Sequence, residues 1–491
     1  DSFAEEIARL ALTLADIPNP NGWNIQHSDI YKDNILKIAA QNATIFFCNP
    51  PFEDFKEDKK NYKGLETNNK AAEVIARVLH NLPEKAVFGV VLPQGFLHKK
   101  NLSELRKYIL DNFELRTICN LPESGVFGKS KHPATILLGR KSKSKENISY
   151  IRVDKHNLEA FKNTYIAHEE KISKNELYVS EDTSFFIPEL NDIWKYCKGY
   201  NKLESIVGIG KGLIYKGKDL PSNAITISTT KREGFIAGFD SFSTDIKITE
   251  LPQIVFLNLN KNVILRPSWG TAIGHPQILM NYTRVGSDHW RLKAWLDIEG
   301  HPVTSNFLVV RSKDRNKWSL YCIWALLNSP YANAFVYCHN PEKSSNAAGL
   351  MRKMPIPEID DTKKKIIDDL VTEYFKIFNH SVNDFLDSDR SKEAEMILLT
   401  IDAEILRLYN LSPRLEKMLL DFFQGIQRKG VDFKFDRYYP EGFGSYIPLH
   451  IFISEEFQNS TVDNVKKWVE ENRSPEIIKA FKNAVKDFEG H

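Results

Sequence analysis

The chain has 491 residues, of which 42% are hydrophobic and 26% charged, and a formal net charge of +2 that excludes no class of partner. At roughly 100–200 residues per domain the length accommodates two to four domains. No stretch approaches the ~20 apolar residues of a membrane span, and no charged-then-apolar signal peptide opens the chain, so a cytoplasmic protein is expected. Cys48, Cys119, Cys197, Cys322 and Cys338 are scattered, and the 13 histidines form no H-E-x-x-H cluster. Reduced thiols and no metal site are the expectation.

In chain order, Phe3, Ile7, Leu10, Ala11 and Leu14 recur at spacings of three and four, one face of a helix behind the cap-type residues Asp1 and Ser2. Pro18 to Gly22 reads as a turn, and Trp23 to Tyr31 as a short strand finishing at Asp29. Thr44 to Cys48 is an apolar run of the kind that suits a buried parallel strand. A helix is expected over Ala71–Leu82, a strand over Ala86–Leu92, a helix over Leu102–Leu110, and strands over Leu115–Asn120 and Ala134–Leu138. This alternation predicts an α/β domain with a mostly parallel sheet. A complete doubly wound domain opens with a strand, a Gly-rich turn and a helix, whereas this chain opens on a helix. Gly208-Ile209-Gly210 lies far downstream without that setting. The expectation is therefore that the first strand–helix unit is missing, or comes from another chain.

After Lys155 a Lys/Glu-rich stretch to Glu176 reads as a linker or decoration. Short β-type runs follow at Ile206–Ile209, Ile254–Leu259, Gln277–Tyr282 and Phe307–Val310, separated by turn residues. Trp318 to Val336 reads as one helix, closed off by Met354 to Pro357. Helices are expected over Lys363–Phe378 and Lys392–Tyr409, from Ser412-Pro413 onward, and near Val462–Glu471. Residues 201–360 carry 19 Lys/Arg against 13 Asp/Glu, a modest excess of the sign that attracts phosphate.

Asn49-Pro50-Pro51-Phe52 directly follows the Thr44–Cys48 strand. An aromatic amine is a poor nucleophile because its lone pair is delocalised into the ring. Two acceptors aimed at its two hydrogens would draw the nitrogen toward a pyramidal geometry and free that pair. The Asn49 side-chain oxygen and the Pro50 carbonyl can be those acceptors, on a backbone the two prolines hold extended. Phe52 offers a face for a flipped base. Acceptors placed where positive charge develops stabilise the transition state without metal or covalent intermediate. N-P-P is also a common turn, but ligands of open α/β sheets bind at the carboxyl ends of strands, where this one falls.

On these residues the sequence resembles the N6-adenine DNA methyltransferases of type I and fused type II restriction-modification systems. The resemblance rests on DSFAEEIARLALTLADIPNPNGWNIQHSDIY, IFFCNPPF, VVLPQGFL and KHPATILLG in that order. It implies S-adenosylmethionine as methyl donor, double-stranded DNA as substrate, and base flipping. It also implies Asn49, Pro50, Pro51 and Phe52 as the catalytic motif, Asp29 holding the cofactor's adenine amino group, Ile30 packing on that adenine, and Asp1 just beyond the acidic residue that holds the ribose. LESIVGIGKGLIYKGKDL, PQILMNYTRV, LVVRSKDRNKWSLYCIWALLNSPYANAF and MPIPEI resemble target recognition domains. Lys211, Lys216, Lys218, Arg266, Trp269 and His275 are the candidate DNA contacts in that region.

The expected architecture is an N-terminally truncated, Rossmann-like class I methyltransferase domain over residues 1–155 and a linker over 156–200. An α+β target recognition domain over 201–360 and a helical region over 361–491 follow. Glu57-Asp58-Lys59 matches the E-x-K of nucleases only superficially, so cleavage would need a restriction subunit or a missing segment. Two alternatives remain: an RNA or protein-amide methyltransferase using the same tetrapeptide, and a non-catalytic DNA-recognition subunit whose partner binds cofactor.

Overall fold

The computed structural model describes residues 2–15, 25–26, 28–31, 34–56, 60–62, 65–122, 126, 133–143, 145–153, 157–179, 182–217, 220, 224–286, 288–340, 345–379 and 387–459. The chain divides into two compact units, Asp1–Ile187 and Pro188–His491.

The first unit opens with α1 (Ser2–Ala15) and α2 (Ile35–Asn42), followed by β1 (Ile45–Cys48) and a hairpin of β2 (Lys60–Tyr62) and β3 (Leu65–Thr67). Then come α3 (Lys70–Leu79), β4 (Val87–Pro93), α4 (Ser103–Asn112), β5 (Glu114–Asn120), β6 (Ala134–Arg140), β7 (Asn147–Arg152), α5 (Leu158–Thr164) and β8 (His168–Ser173). Six strands form one sheet in the order β1-β4-β6-β5-β7-β8. Only β1/β4 and β5/β7 pair in parallel; β6 runs against β4 and β5, and β8 against β7. A mostly parallel sheet was the expectation. Apolar runs cannot separate the two cases, because a strand covered on both faces looks alike in either direction.

One sheet face, with Phe88, Val90, Leu92, Ile118 and Leu137, joins Ala71, Ile75, Val78, Leu105 and Ile109 of α3 and α4 in a single core. On the other, Cys119 and Ala134 pack with Leu158 of α5. The edge strand β1 leaves Ile45 and Phe47 exposed, as α1 leaves Phe3, Ile7, Leu10 and Leu14. The polar stretch after Lys155 is not a linker: β8 is the sixth strand of the sheet, and Ile172, Leu177, Phe185 and Ile187 lie in the core. These inward-pointing apolar residues are spaced among charged ones, and composition averages them away; Tyr165 and Ile166 of the same stretch are exposed. Residues 25, 26 and 28–31, expected in a strand, contain none; a turn at Ile30-Tyr31 takes its place. The Pro18–Gly22 turn, the Glu57–Lys59 run and the Val462–Glu471 helix lie outside the described residues.

The second unit is built on an antiparallel four-stranded sheet: β9 (Val207–Lys211), β10 (Gln277–Asn281), β11 (Ala294–Asp297) and β12 (Phe307–Ser312), in the order β9-β12-β10-β11. The expected Trp318–Val336 helix is two helices, α6 (Leu320–Asn328) and α7 (Pro330–His339). Pro330 has no N–H to continue α6, and the Ser329 hydroxyl caps α7 by accepting from the Ala332 N–H. The longer helices that follow are α8 (Asp361–Asn379), α9 (Asp387–Tyr409) and α10 (Pro413–Asp421). They share one core with α6, α7 and one face of the sheet. No helix among the described residues is long and apolar enough to cross a membrane.

Candidate active site

β1 pairs with β4 as far as Cys48 opposite Val90, so Asn49 leaves the sheet at the carboxyl end of its edge strand. Asn49 and Pro51 are exposed, Pro50 is buried and Phe52 is half-buried. Phe52 lies against the small core around Cys119 and Leu121. The tetrapeptide is thus anchored through Pro50 and Phe52, with Asn49 facing outward. Beside it, Gln94 at the end of β4 donates from Nε2 to Asn120 Oδ1 at the end of β5, 2.8 Å away. The loop after β4 is pinned by the buried Arg106, whose Nη1 donates to the carbonyls of Phe96 and Lys99 at 2.7 and 3.0 Å. Burial lowers the Arg106 pKa to about 10, partly offset by Asp182, so the guanidinium stays charged at neutral pH.

The exposed Asp29 carboxylate accepts from the Tyr31 N–H at 3.0 Å, which closes the turn around the half-buried Ile30. Tyr31 ties this turn to the tetrapeptide's side of the sheet. Its ring meets Phe55 edge-on, with centroids 5.2 Å apart. Its hydroxyl pKa is pushed up to about 12, first by burial and then by Cys48, Asp29 and Glu73 nearby. Burial also raises the Cys48 thiol. The structure therefore brings the 29–31 turn and the 48–55 segment into one neighbourhood. Asp1 lies outside the described residues. No group of three or more His, Cys, Asp or Glu that could hold a metal occurs among the described residues.

The candidate DNA contacts sit in the second unit. The Lys211 ammonium lies 3.6 Å over the Tyr282 ring. The Lys216 backbone N–H donates to the Val263 carbonyl, and exposed Arg266 pairs across a short ladder with Ile214. Exposed His275 lies on the turn whose Gly274 N–H donates to Gly300. Trp269 has a structural place. A Cβ on Gly208 or Gly210 would come within 2.2 and 2.1 Å of its indole, so these two glycines of β9 exist to admit the ring. The Gly-x-Gly is the seat of a tryptophan, not a phosphate loop. Arg311 stacks over the same ring at 5.4 Å and donates from Nη2 to the Trp269 carbonyl at 3.0 Å. Lys218 lies outside the described residues.

Sequence reasoning missed Asn69, Glu73 and Arg77, which hold both site segments. Asn69-Lys70 ahead of an apolar helical run was the one available signal, an N-cap.

Residues 1–208 match the family model described as N-6 DNA Methylase. Over that segment the resemblance read from the sequence is met. No curated protein sequence matches the chain. Among solved structures, the chain is similar to the Type IIL restriction-modification enzyme MmeI in complex with DNA. That match has 10% identity and a TM-score of 0.49, over 79% of this chain and 57% of the other. A type I restriction-modification methyltransferase subunit from Streptococcus thermophilus matches at 16% identity and a TM-score of 0.23, over 32% of this chain and 37% of its own. The EcoKI M protein matches at 20% identity and a TM-score of 0.21, over 22% and 25%. The chain thus spans less than two thirds of the length of each.

Proposed function

We propose that the chain takes part in site-specific methylation of adenine N6 in duplex DNA within a restriction-modification system. The observation that carries this is the position of Asn49-Pro50-Pro51-Phe52 at the carboxyl rim of β1, with Asn49 outward and Pro50 fixed inward. In this reading the Asn49 Oδ1 and the Pro50 carbonyl accept the two amino hydrogens of a flipped adenine, and Phe52 borders the base. The attacking nitrogen would gain a bond to the methyl carbon as that carbon's bond to sulfur breaks, with the electron pair left on sulfur, and must then lose one proton. Asn49 and the Pro50 carbonyl hold that proton until it passes to water at the open rim.

The fit to S-adenosylmethionine rests on the Asp29 turn. Its carboxylate is oriented by the Tyr31 N–H yet remains exposed, as a group accepting from the cofactor's adenine amino group would be. Ile30, half-buried beside it, offers an apolar edge to the ring. When bound, the cofactor supplies an electrophilic methyl group on a sulfonium. Among the described residues of the first unit no Gly-x-Gly turn follows a strand, and the matching residues, Asp29 and Ile30, face the adenine of the cofactor in this reading. In the same proposal the second unit holds the recognition domain, and Lys211, Lys216 and Arg266 contact phosphates.

The test is incubation of the chain with methyl-labelled S-adenosylmethionine and unmethylated bacterial genomic DNA, followed by nucleoside analysis. Label in N6-methyl-2′-deoxyadenosine from duplex DNA is expected. Label in RNA or in protein amide instead would overturn the reading, as would cofactor binding without any transfer.

A further inference from the structure

We propose that α3 is a strut that positions both halves of the reaction site independently, Asn69 setting the base-holding loop and Arg77 setting the cofactor-binding turn. This rests on the reading of residues 29–31 and 49–52 just given. Neither residue would touch substrate or cofactor; both are positioning residues.

The helix can serve as a fixed reference because Ala71 to Ala76, Val78 and Leu79 are all buried in the first unit's core. At its N-terminus Asn69 has two separate jobs. Its Oδ1 accepts from the Ala72 N–H at 3.1 Å, which caps the helix. Its Nδ2 donates to the Phe52 carbonyl at 3.3 Å and to Asp54 Oδ1 at 3.1 Å. The backbone doubles this grip: the Lys70 N–H donates to the Glu53 carbonyl at 3.0 Å, and the Phe55 N–H to the Asn68 carbonyl at 2.7 Å. The residue that ends the tetrapeptide is therefore fastened to the start of α3.

Two turns along, Arg77 reaches the other segment. Its Nε donates to Glu73 Oε1 at 2.8 Å, and its Nη1 to the Tyr31 carbonyl at 3.1 Å. Glu73 is only 1% exposed, so its carboxylate fixes the guanidinium from within the core. The Asp29 carboxylate is in turn oriented by Tyr31. The two grips use different hydrogen bonds, so each can be released separately although the Tyr31 and Phe55 rings meet edge-on.

Asn69→Ser keeps a capping oxygen but loses the amide donors. Arg77→Lys keeps a cation for Glu73 but loses the second prong, which reaches the Tyr31 carbonyl. The experiment measures hydrogen exchange of the whole chain, with kcat and the KM for S-adenosylmethionine alongside, and thermal melting as the control. Asn69→Ser should speed exchange in 53–56 alone and lower kcat about tenfold with KM unchanged, because loss of orientation slows the transfer step. Arg77→Lys should speed exchange in 28–31 alone and raise KM about fivefold, with kcat at saturating cofactor within about threefold. Exchange that rises in both segments with either variant, or in neither, overturns the proposal, as does a loss that tracks melting alone. Split exchange with no methyl transfer by the unaltered chain would overturn the methylation reading and leave the strut standing.

Discussion

In the first unit the informative polar side chains gather at one end of the sheet, where they grip loops: Asn69 and Arg77 from α3, Gln94 against Asn120, Arg106 beneath the loop after β4. In the second unit comparable groups lie inside the fold and are used up there. The Asn333 Oδ1 accepts from the N–H groups of Arg291 and Leu292, Asn328 exchanges hydrogen bonds with Ala294, and Asn281 and Asn346 reach the Arg291 carbonyl. Arg428 and Asp402, both buried, form an ion pair that Tyr438 joins. The contrast separates two uses of buried polarity. In the first unit polar groups hold segments that border a rim. In the second they satisfy backbone groups that no ladder reaches.

This contrast can be broken by removing internal pairs. Arg428→Met leaves Asp402 buried without its partner and should cost about 3–5 kcal/mol. Seven of the eight tryptophans fall after residue 187, so tryptophan fluorescence during urea unfolding reads the second unit. A loss below about 1 kcal/mol would show that the pair is not fully desolvated. The second effect is a pH dependence. Burial raises the Glu416 carboxyl to about 7, although it accepts from the Leu449 N–H. The folded state thus holds a proton that the unfolded state releases near pH 4.5. Glu416's own contribution to stability should fall as pH rises from about 4.5 to 7, by up to about 3 kcal/mol, against the opposite contribution of His339 and His450, which burial lowers to about 4. Glu416→Gln should remove that falling contribution and make stability rise more steeply with pH over this window, and an unchanged pH dependence would show that Glu416 makes none. The smallest effect tests the tryptophan seat. Gly210→Ala should displace the Trp269 ring at a cost of about 1–3 kcal/mol, with a red shift in emission, while Gly199→Ala, where a Cβ meets nothing within 4 Å, should leave both unchanged.

What the sequence shows follows the same division. Four of the first unit's strands, β1, β4, β5 and β6, were legible because both faces of the sheet are apolar, and IFFC, VFGVVL and ATILL announce this directly, whereas the polar NISYIR and HEEKIS of β7 and β8 do not. Asn49 was legible because its chemistry is local, four residues at a strand end. The grip of Asn69 on Phe52 was not, since it spans 17 positions and depends on where α3 docks. In the second unit Trp269 read as a DNA contact because it lies in a Gly/Pro-rich stretch. Its real neighbours, Gly208 and Gly210, lie some 60 positions earlier. The break between α6 and α7 was written in Ser329-Pro330, the same cap-and-proline signal that marks Ser412-Pro413. The apolar run on either side outweighed it.

The most direct measurement is single-turnover methyl transfer to duplex DNA by the full chain and its Asn49→Ala variant, with cofactor affinity measured in parallel. The account predicts a loss of about a hundredfold or more in the transfer rate, with cofactor affinity unchanged, because one of two acceptors on the reacting nitrogen is gone. An Asn49→Ala chain that transfers methyl groups at the unaltered rate would contradict it.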